Sequence, residues 1–281
     1  MSADGLTFLD GPLGSELERR GLALPAPMWS AVGVWQRPEL LVEIHRDYAE
    51  AGAQVHTAAT FRTTARALQD TEQAAGWCEV AGRAVALCRQ AVGGDMRVAG
   101  SMAPLEDCFL PEATPDDEAL AREHAELAEC LARAGCDLLL VETMPTEREL
   151  VAATRAARAT GLPVWSAITL GPDGAFFDAD SAAAVRDAAV QAGASAFLVN
   201  CTPPDRITSL LDSLPPADEV PLGAYGNDIF EGETGWNPAR YAEEAARWRD
   251  LGATLLGGCC GTTTEHLVAM RERLCGTGHS G

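Results

Sequence analysis

The sequence predicts a single-domain (β/α)8 barrel over residues 1–281, with its core at about residues 5–275. Short apolar runs of strand character alternate with longer segments of helical period, and no linker or low-complexity block divides the chain. The decisive observation is that the strand–helix pairs number eight. An open doubly wound sheet could produce the same alternation, but eight units in 281 residues, 47% of them apolar, fit the barrel.

The expected strands are apolar throughout, as in a parallel sheet that is covered on both faces. In chain order they are residues 6–10, 53–57, 97–102, 137–143, 163–170, 196–201, 221–227 and 253–260. Helical segments lie between them, because parallel strands need crossover connections. These are residues 38–51, 64–92 with a break near Gly76, 116–134, 146–160, 181–192, 204–214, 238–251 and 263–274.

Residues at the ends of the predicted helices support these boundaries. Glycine readily adopts the left-handed conformation that closes a helix. Four helices are followed by such a residue: Gly52, Gly135, Gly161 and Gly193. Thr146 and Ser181 suit N-cap positions, and Glu149 follows Thr146 at the capping-box spacing.

The composition excludes several classes of partner. The net charge of −20 and the pI of about 4.5 argue against nucleic acid and against an anionic membrane surface, since both require a basic face. The first residues lack the basic start and apolar stretch of a signal peptide, and no apolar run is long enough to cross a bilayer. We therefore expect a cytoplasmic protein.

Nine cysteines, an odd number in a chain that is not small, argue against a disulfide scaffold and for a reducing compartment. Five of them lie in helix-like or mixed contexts, and we interpret them as ordinary buried thiols: Cys78, Cys88, Cys130, Cys136 and Cys275.

Three other cysteines stand out because each follows an apolar run at a strand end. They are Cys201 and the adjacent pair Cys259-Cys260. In a barrel these strand ends share one mouth, so the three sulfurs are expected to converge. Soft thiolates select zinc, and three protein ligands leave one position open for a substrate. The alternative is three buried cysteines without a metal.

Other strand ends carry polar residues suited to binding a small substrate. Glu142 could hold an ammonium group by a charge-assisted hydrogen bond, or it could cap the next helix. Asp10-Gly11 could present backbone groups to the amino-acid end of a substrate, and Asn227 could position a polar group or form a turn. Trp29 and Trp236 could face a sulfonium through cation–π attraction, or simply pack.

The four histidines His45, His56, His124 and His266 are interpreted as structural, because none pairs with a plausible nucleophile.

These residues together resemble the homocysteine S-methyltransferase family over nearly the whole chain. The most specific motifs are Asn200-Cys201-Thr202 and Gly257-Gly258-Cys259-Cys260. Supporting motifs are Trp29-Ser30, Ala51-Gly52-Ala53, Ala99-Gly100-Ser101, Glu142-Thr143-Met144-Pro145 and Tyr225-Gly226-Asn227. The resemblance implies a (β/α)8 barrel that holds Zn²⁺ through Cys201, Cys259 and Cys260. It also implies that Glu142 binds the homocysteine amino group and that Asp10-Gly11 lies at the amino-acid end.

The chain departs from the family pattern at Pro12, Ser15 and Gly261 and in Gly226-Asn227-Asp228. The last change affects the expected donor side, which the loop through Glu231, Glu233 and Trp236 would border. The chain also lacks room for a cobalamin or folate module and the long extension of betaine-using members. The resemblance therefore implies a sulfonium donor, S-methylmethionine or S-adenosylmethionine.

The predicted function is zinc-dependent methyl transfer from a sulfonium donor to L-homocysteine, giving methionine. No catalytic residue is expected beyond the zinc site, and the substrate-binding residues are Asp10, Gly11, Glu142 and Asn227. Three alternatives stay open: another thiol or selenol acceptor, a non-catalytic zinc- or thiol-binding protein, and a redox protein that uses Cys259-Cys260.

Overall fold

The computed structural model describes residues 5–215, 220–229 and 235–276. Eight parallel strands form one sheet in the order β1-β8-β7-β6-β5-β4-β3-β2. An isolated parallel bridge from Leu9 to Val55 joins the two end strands, so the sheet closes into the predicted barrel. The strands are β1 Thr7–Phe8, β2 Val55–Thr57, β3 Arg97–Met102, β4 Leu138–Met144, β5 Val164–Ile168, β6 Ala196–Asn200, β7 Leu222–Gly226 and β8 Ala253–Gly258.

Eleven α-helices in the described residues surround this barrel or cover its ends. They are α1 Leu13–Arg19, α2 Gly33–Gln36, α3 Pro38–Ala51, α4 Ala65–Leu68, α5 Trp77–Val92, α6 Asp117–Arg133, α7 Glu147–Ala159, α8 Ala179–Ala192, α9 Pro204–Ser213, α10 Pro238–Asp250 and α11 Thr264–Cys275. The expected break near Gly76 is confirmed, since a 3₁₀ turn ends there and α5 begins at Trp77. The short helices α1 and α2 were not predicted.

Strand residues alternate between two apolar layers. On β4, Leu138 and Leu140 belong to the barrel interior, whereas Leu139 and Val141 pack against the helices. Both layers are buried, which explains why the strands are continuous apolar runs in the sequence. The carboxyl ends of all eight strands therefore converge on one face of the molecule, where the loops lie.

The helix ends confirm the glycine prediction and correct one of the caps. Gly52 and Gly193 are left-handed, with φ of 99° and 109°. Thr146 caps α7 through its hydroxyl, but the Glu149 side chain does not complete a capping box, because it accepts a hydrogen bond from the Leu105 amide at 2.7 Å. Ser181 is not an N-cap: Asp178 caps α8, and Ser181 lies three residues inside it.

The interpretation of the five cysteines in helix-like or mixed contexts as buried thiols is wrong for three of them. Cys78 on α5 and Cys130 on α6 form a disulfide, and Cys275 is exposed. Cys88 and Cys136 are buried thiols, as expected. The two paired cysteines are 52 residues apart, and only the packing of α5 against α6 brings them together.

No helix in the described ranges combines the length and the apolar character that crossing a bilayer would require.

Candidate active site

A cavity of about 230 Å³ opens at the carboxyl ends of the strands. Its wall includes residues from the loops or ends of seven strands: Asp10, Gly11, Thr57, Ser101, Cys108, Glu142, Cys201, Tyr225, Cys259 and Cys260. Barrel enzymes place their active sites on this face. Of the predicted site residues, all but Asn227 line this cavity.

The three cysteines converge at one edge of the cavity. The sulfurs of Cys201, Cys259 and Cys260 all lie within 4.8 Å of one another. Backbone bonds fix two of them, because the Cys201 amide donates to Tyr225 at 3.2 Å and the Cys259 amide donates to Gly226 at 2.8 Å. The main chain of Cys201 is left-handed, with φ of 47°, which turns its side chain toward the pair.

Glycine is required beside the adjacent pair for two different reasons. Gly261 has φ of 84°, and a Cβ there would fall 2.9 Å from the Asp228 backbone. Gly257 packs against Leu9, where a Cβ would approach the Leu9 Cβ to 2.8 Å. The close turn that presents both sulfurs on one side therefore depends on the absence of side chains.

The three cysteine thiols differ in pKa. Hydrogen bonds from the other two thiols lower the pKa of Cys260 well below its usual value. The pKa of Cys201 is raised, first because its thiol donates to the sulfurs of Cys259 and Cys260 and then because it is buried. A site that favours one thiolate, with three sulfurs within 4.8 Å of one another, fits a soft divalent ion such as zinc.

Glu142 lies across the cavity at the end of β4, with 8% of its surface exposed. Its carboxylate accepts hydrogen bonds from Ser101 Oγ at 2.5 Å, Tyr225 Oη at 3.0 Å and Asn200 Nδ2 at 3.4 Å. Burial raises its pKa to about 7, although the Ser101 and Tyr225 hydrogen bonds oppose the rise.

The alternative role for Glu142, capping the next helix, is wrong because Thr146 caps α7. A carboxylate that is buried, oriented by three donors and open to a cavity is suited to bind a cation.

Asp10 and Gly11 form the turn after β1. The Asp10 carboxylate is buried and accepts a hydrogen bond from the Thr57 amide at 2.9 Å. Burial raises its pKa well above the usual value. Gly11 lets the turn approach Tyr48, whose hydroxyl would lie 2.5 Å from a Cβ at that position.

Asn227 lies behind the cysteines rather than on the cavity wall. Its Nδ2 is 3.8 Å from the Cys201 sulfur, and its amide donates to Thr202. Trp236 is buried with Arg240 stacked 3.6 Å from its ring centroid, whereas Trp29 is half exposed on the cavity rim. Glu231 and Glu233 lie outside the described residues.

Sequence reasoning did not assign roles to the donors around Glu142 or to Cys108. Ser101, Asn200 and Tyr225 each sit at or next to a strand end, and that position was the available signal. Cys108 follows β3 in a loop and lines the cavity; burial raises the pKa of its thiol to about 12. No spacing to another cysteine marked it.

The fold and the site define a barrel enzyme with a three-thiol centre facing a buried carboxylate. Comparison with known proteins gives the family: the homocysteine S-methyltransferase profile matches residues 7–274, and the chain belongs to that family. It is therefore a methyltransferase.

Two relatives and one solved structure illustrate the similarity. The homocysteine S-methyltransferase of Escherichia coli (strain K12) is 31% identical, with 95% of each chain covered. The homocysteine S-methyltransferase YbgG of Bacillus subtilis (strain 168) is 28% identical, with 93% of this chain and 92% of the relative covered. The metallated form of the Escherichia coli homocysteine methyltransferase MmuM superposes with a TM-score of 0.82, at 29% identity and 96% coverage of both chains.

Proposed function

We propose that this protein transfers a methyl group from a sulfonium donor, S-methylmethionine or S-adenosylmethionine, to the thiol of L-homocysteine, giving methionine. The observation that carries the proposal is the approach of three cysteine sulfurs to within 4.8 Å in the same cavity as the buried carboxylate of Glu142. Cys201, Cys259 and Cys260 would hold Zn²⁺. A zinc ion there would stabilise the thiolate form of a substrate thiol at neutral pH and leave it nucleophilic.

Glu142 would fix the other end of homocysteine. Its carboxylate is oriented by Ser101, Tyr225 and Asn200, so it can accept a hydrogen bond from the α-ammonium group without rearrangement. Asp10-Gly11 lines the same cavity and would lie next to the amino-acid end of homocysteine. The acceptor is thereby held at two points, which accounts for much of the expected rate gain through positioning.

The proposed step is a single displacement. The homocysteine sulfur forms a bond to the donor methyl carbon, the bond from that carbon to the sulfonium sulfur breaks, and the electron pair remains on the departing sulfur as a neutral thioether. The thiol proton has already gone to solvent, so no side chain must act as a general base. Trp29 on the rim offers an exposed ring to the donor cation.

The direct test combines a metal measurement with an activity assay. Zinc per chain is measured, and homocysteine is then assayed with each sulfonium donor in turn. Cys260→Ala should lose both bound zinc and methyl transfer, because two thiols cannot complete the centre. Cys275→Ser is the matched control, since Cys275 is exposed on α11 and should be dispensable. Full activity in Cys260→Ala would refute the proposal.

The acceptor is tested separately by competition. Homocysteine, other small thiols and a selenol are offered at equal concentration, and kcat/KM is compared. Zinc and homocysteine binding without turnover on any donor would instead indicate a binding protein.

A further inference from the structure

A second group of potential metal ligands lies beside the cavity. Asp10 after β1, His45 on α3 and His56 on β2 each offer one ligand atom, and these atoms lie within 4.8 Å of one another. We call these residues the Asp–His–His cluster. Asp10 also lines the cavity, whereas both histidines are 0% exposed. The cluster thus lies between the barrel wall and α3, directly behind the expected amino-acid end of the substrate.

The histidines of this cluster have no hydrogen-bond partners. Neither ring nitrogen of His45 or His56 is bonded, and the hydroxyl of Tyr48, on the next turn of α3, is also unpartnered. These five atoms are most of the nine unpartnered buried side-chain atoms in the described part of the chain. Because buried polar groups are nearly always bonded, such a concentration calls for a bound water or ion.

His56 lies close to the Asp10 carboxylate and to a backbone carbonyl. Its Nδ1 lies 4.0 Å from Asp10 Oδ2, and the Ala53 carbonyl is close to the ring without making a bond of ordinary geometry. Ligands of a tetrahedral ion are about 3.4 Å apart, so small side-chain rotations would bring the three atoms onto one ion.

Charge also favours a cation over water. The buried Asp10 carboxylate accepts hydrogen bonds from Thr57, and within the described residues no arginine forms an ion pair with it. Glu142, a second buried carboxylate, is near enough to repel it. With both imidazoles uncharged, a divalent ion would balance the two negative charges of the Asp10 and Glu142 carboxylates.

We infer that the Asp–His–His cluster binds a second divalent transition-metal ion, separate from the ion of the three cysteines, and that this ion fixes the Asp10 carboxylate at the amino-acid end of the cavity. Imidazole and carboxylate ligands suit zinc, manganese, iron(II) and cobalt(II). The metal site follows from the cluster alone, whereas its effect on the substrate rests on the proposed function.

The test is a cobalt(II) titration of the wild-type chain after its metals are removed. Cobalt bound at the three cysteines is detected by its thiolate-to-cobalt charge-transfer absorption. A site with only nitrogen and oxygen ligands lacks this absorption. We expect about two cobalt ions per chain, of which only one produces this absorption. The inference would be overturned if only one cobalt ion bound per chain and the thiolate absorption rose to its full value as that ion bound. The proposed function would then remain intact. A chain that binds cobalt without any thiolate band would refute the cysteine centre instead.

Variants then locate the second ion. His45→Gln and His56→Gln should each bind one ion with an unchanged thiolate band. His124→Gln is the matched control, because His124 is equally buried but lies against Glu149, outside the cluster. It should keep two ions. Two ions in both cluster variants would place the second ion elsewhere and overturn the assignment.

The positioning role has its own measurement. The KM for homocysteine is compared in wild-type protein loaded with one or with two equivalents of metal. We expect the second equivalent to lower KM several-fold while kcat changes little, because Asp10 contributes to binding. No such difference in KM, with two ions bound, would overturn the positioning role.

Discussion

The two halves of the barrel mouth differ in chemistry and in how their side chains are held. The half at β6, β7 and β8 presents the three cysteine sulfurs, and main-chain hydrogen bonds and left-handed residues fix them. The half at β1 to β4 presents the carboxylates of Asp10 and Glu142. Glu142 is held by side chains 41 to 83 residues away in the sequence. Both halves therefore unite residues that are distant in the sequence, but main-chain contacts hold the sulfur half and side chains hold the carboxylate half.

This contrast suggests a division of labour. The sulfur half would activate the thiol of the acceptor, and the carboxylate half would orient its amino-acid end. If so, each half can be disabled without disabling the other. The predictions below test that separation, beginning with the largest expected effect.

Removing the metal should disable the sulfur half and thereby abolish methyl transfer. Treatment with a chelator is expected to lower the methyl-transfer rate by about 1,000-fold or more, because the substrate thiol would lose both the ion that holds it in place and the stabilisation of its thiolate form. Adding zinc back should restore the rate. Far-UV circular dichroism serves as the control, since of the three cysteines only Cys259 packs against an apolar layer and the rest of both layers lies outside the site. Undiminished turnover in fully chelated protein would contradict the role of this half.

Glu142→Gln should disable the carboxylate half while leaving the metal in place. Loss of the charge-assisted hydrogen bond to the ammonium group is expected to lower kcat/KM for homocysteine by about 10- to 100-fold. Zinc per chain should not change. Glu244→Gln is the matched control, because Glu244 is a buried acid that bonds to Thr208 outside the cavity. Loss of zinc from Glu142→Gln would show that the halves are not separable.

The strands and the cysteine positions could be predicted from the sequence, whereas most of the side-chain contacts in the carboxylate half could not. The alternation of apolar runs and helices predicted all eight strands, because burial on both faces makes each run uniformly apolar. The sulfur half was also predicted, since the cysteines follow strand ends directly. The helices α1 and α2 were missed because each is too short to show a helical period in its apolar residues.

The long-range features of the structure were not predictable in the same way. Nothing local links Glu142 to Tyr225 or Cys78 to Cys130, because these pairs depend on which elements pack together. Asn227 was expected to position a polar group of the substrate or to form a turn; its Nδ2 lies 3.8 Å from the Cys201 sulfur, and it is not among the residues that line the cavity, so its substrate role stays a prediction. Strand-end position identifies candidates, whereas side-chain direction depends on the packed barrel.

Acidification should weaken the carboxylate half specifically. The pKa of Glu142 is raised to about 7, so its carboxyl is charged above this pH and becomes neutral below it. A neutral carboxyl binds an ammonium group poorly. We therefore expect kcat/KM for homocysteine to fall as the pH drops through about 7, and the ratio of wild type to Glu142→Gln to fall with it. A ratio that is constant from pH 8 to pH 6 would contradict this role.

Tyr225 connects the two halves, and its removal should have the smallest effect. It lies on β7 beside the cysteine half, yet its hydroxyl donates to Glu142 across the cavity. This hydrogen bond lowers the pKa of Glu142, so Tyr225→Phe should raise that pKa and move the acidic limb of kcat/KM to higher pH. Because Ser101 and Asn200 still donate, the loss of kcat/KM at pH 8 should be only a few-fold. A purely structural disturbance would lower kcat/KM at high pH without shifting the pH at which kcat/KM falls. That outcome would show that Tyr225 does not change the pKa of Glu142.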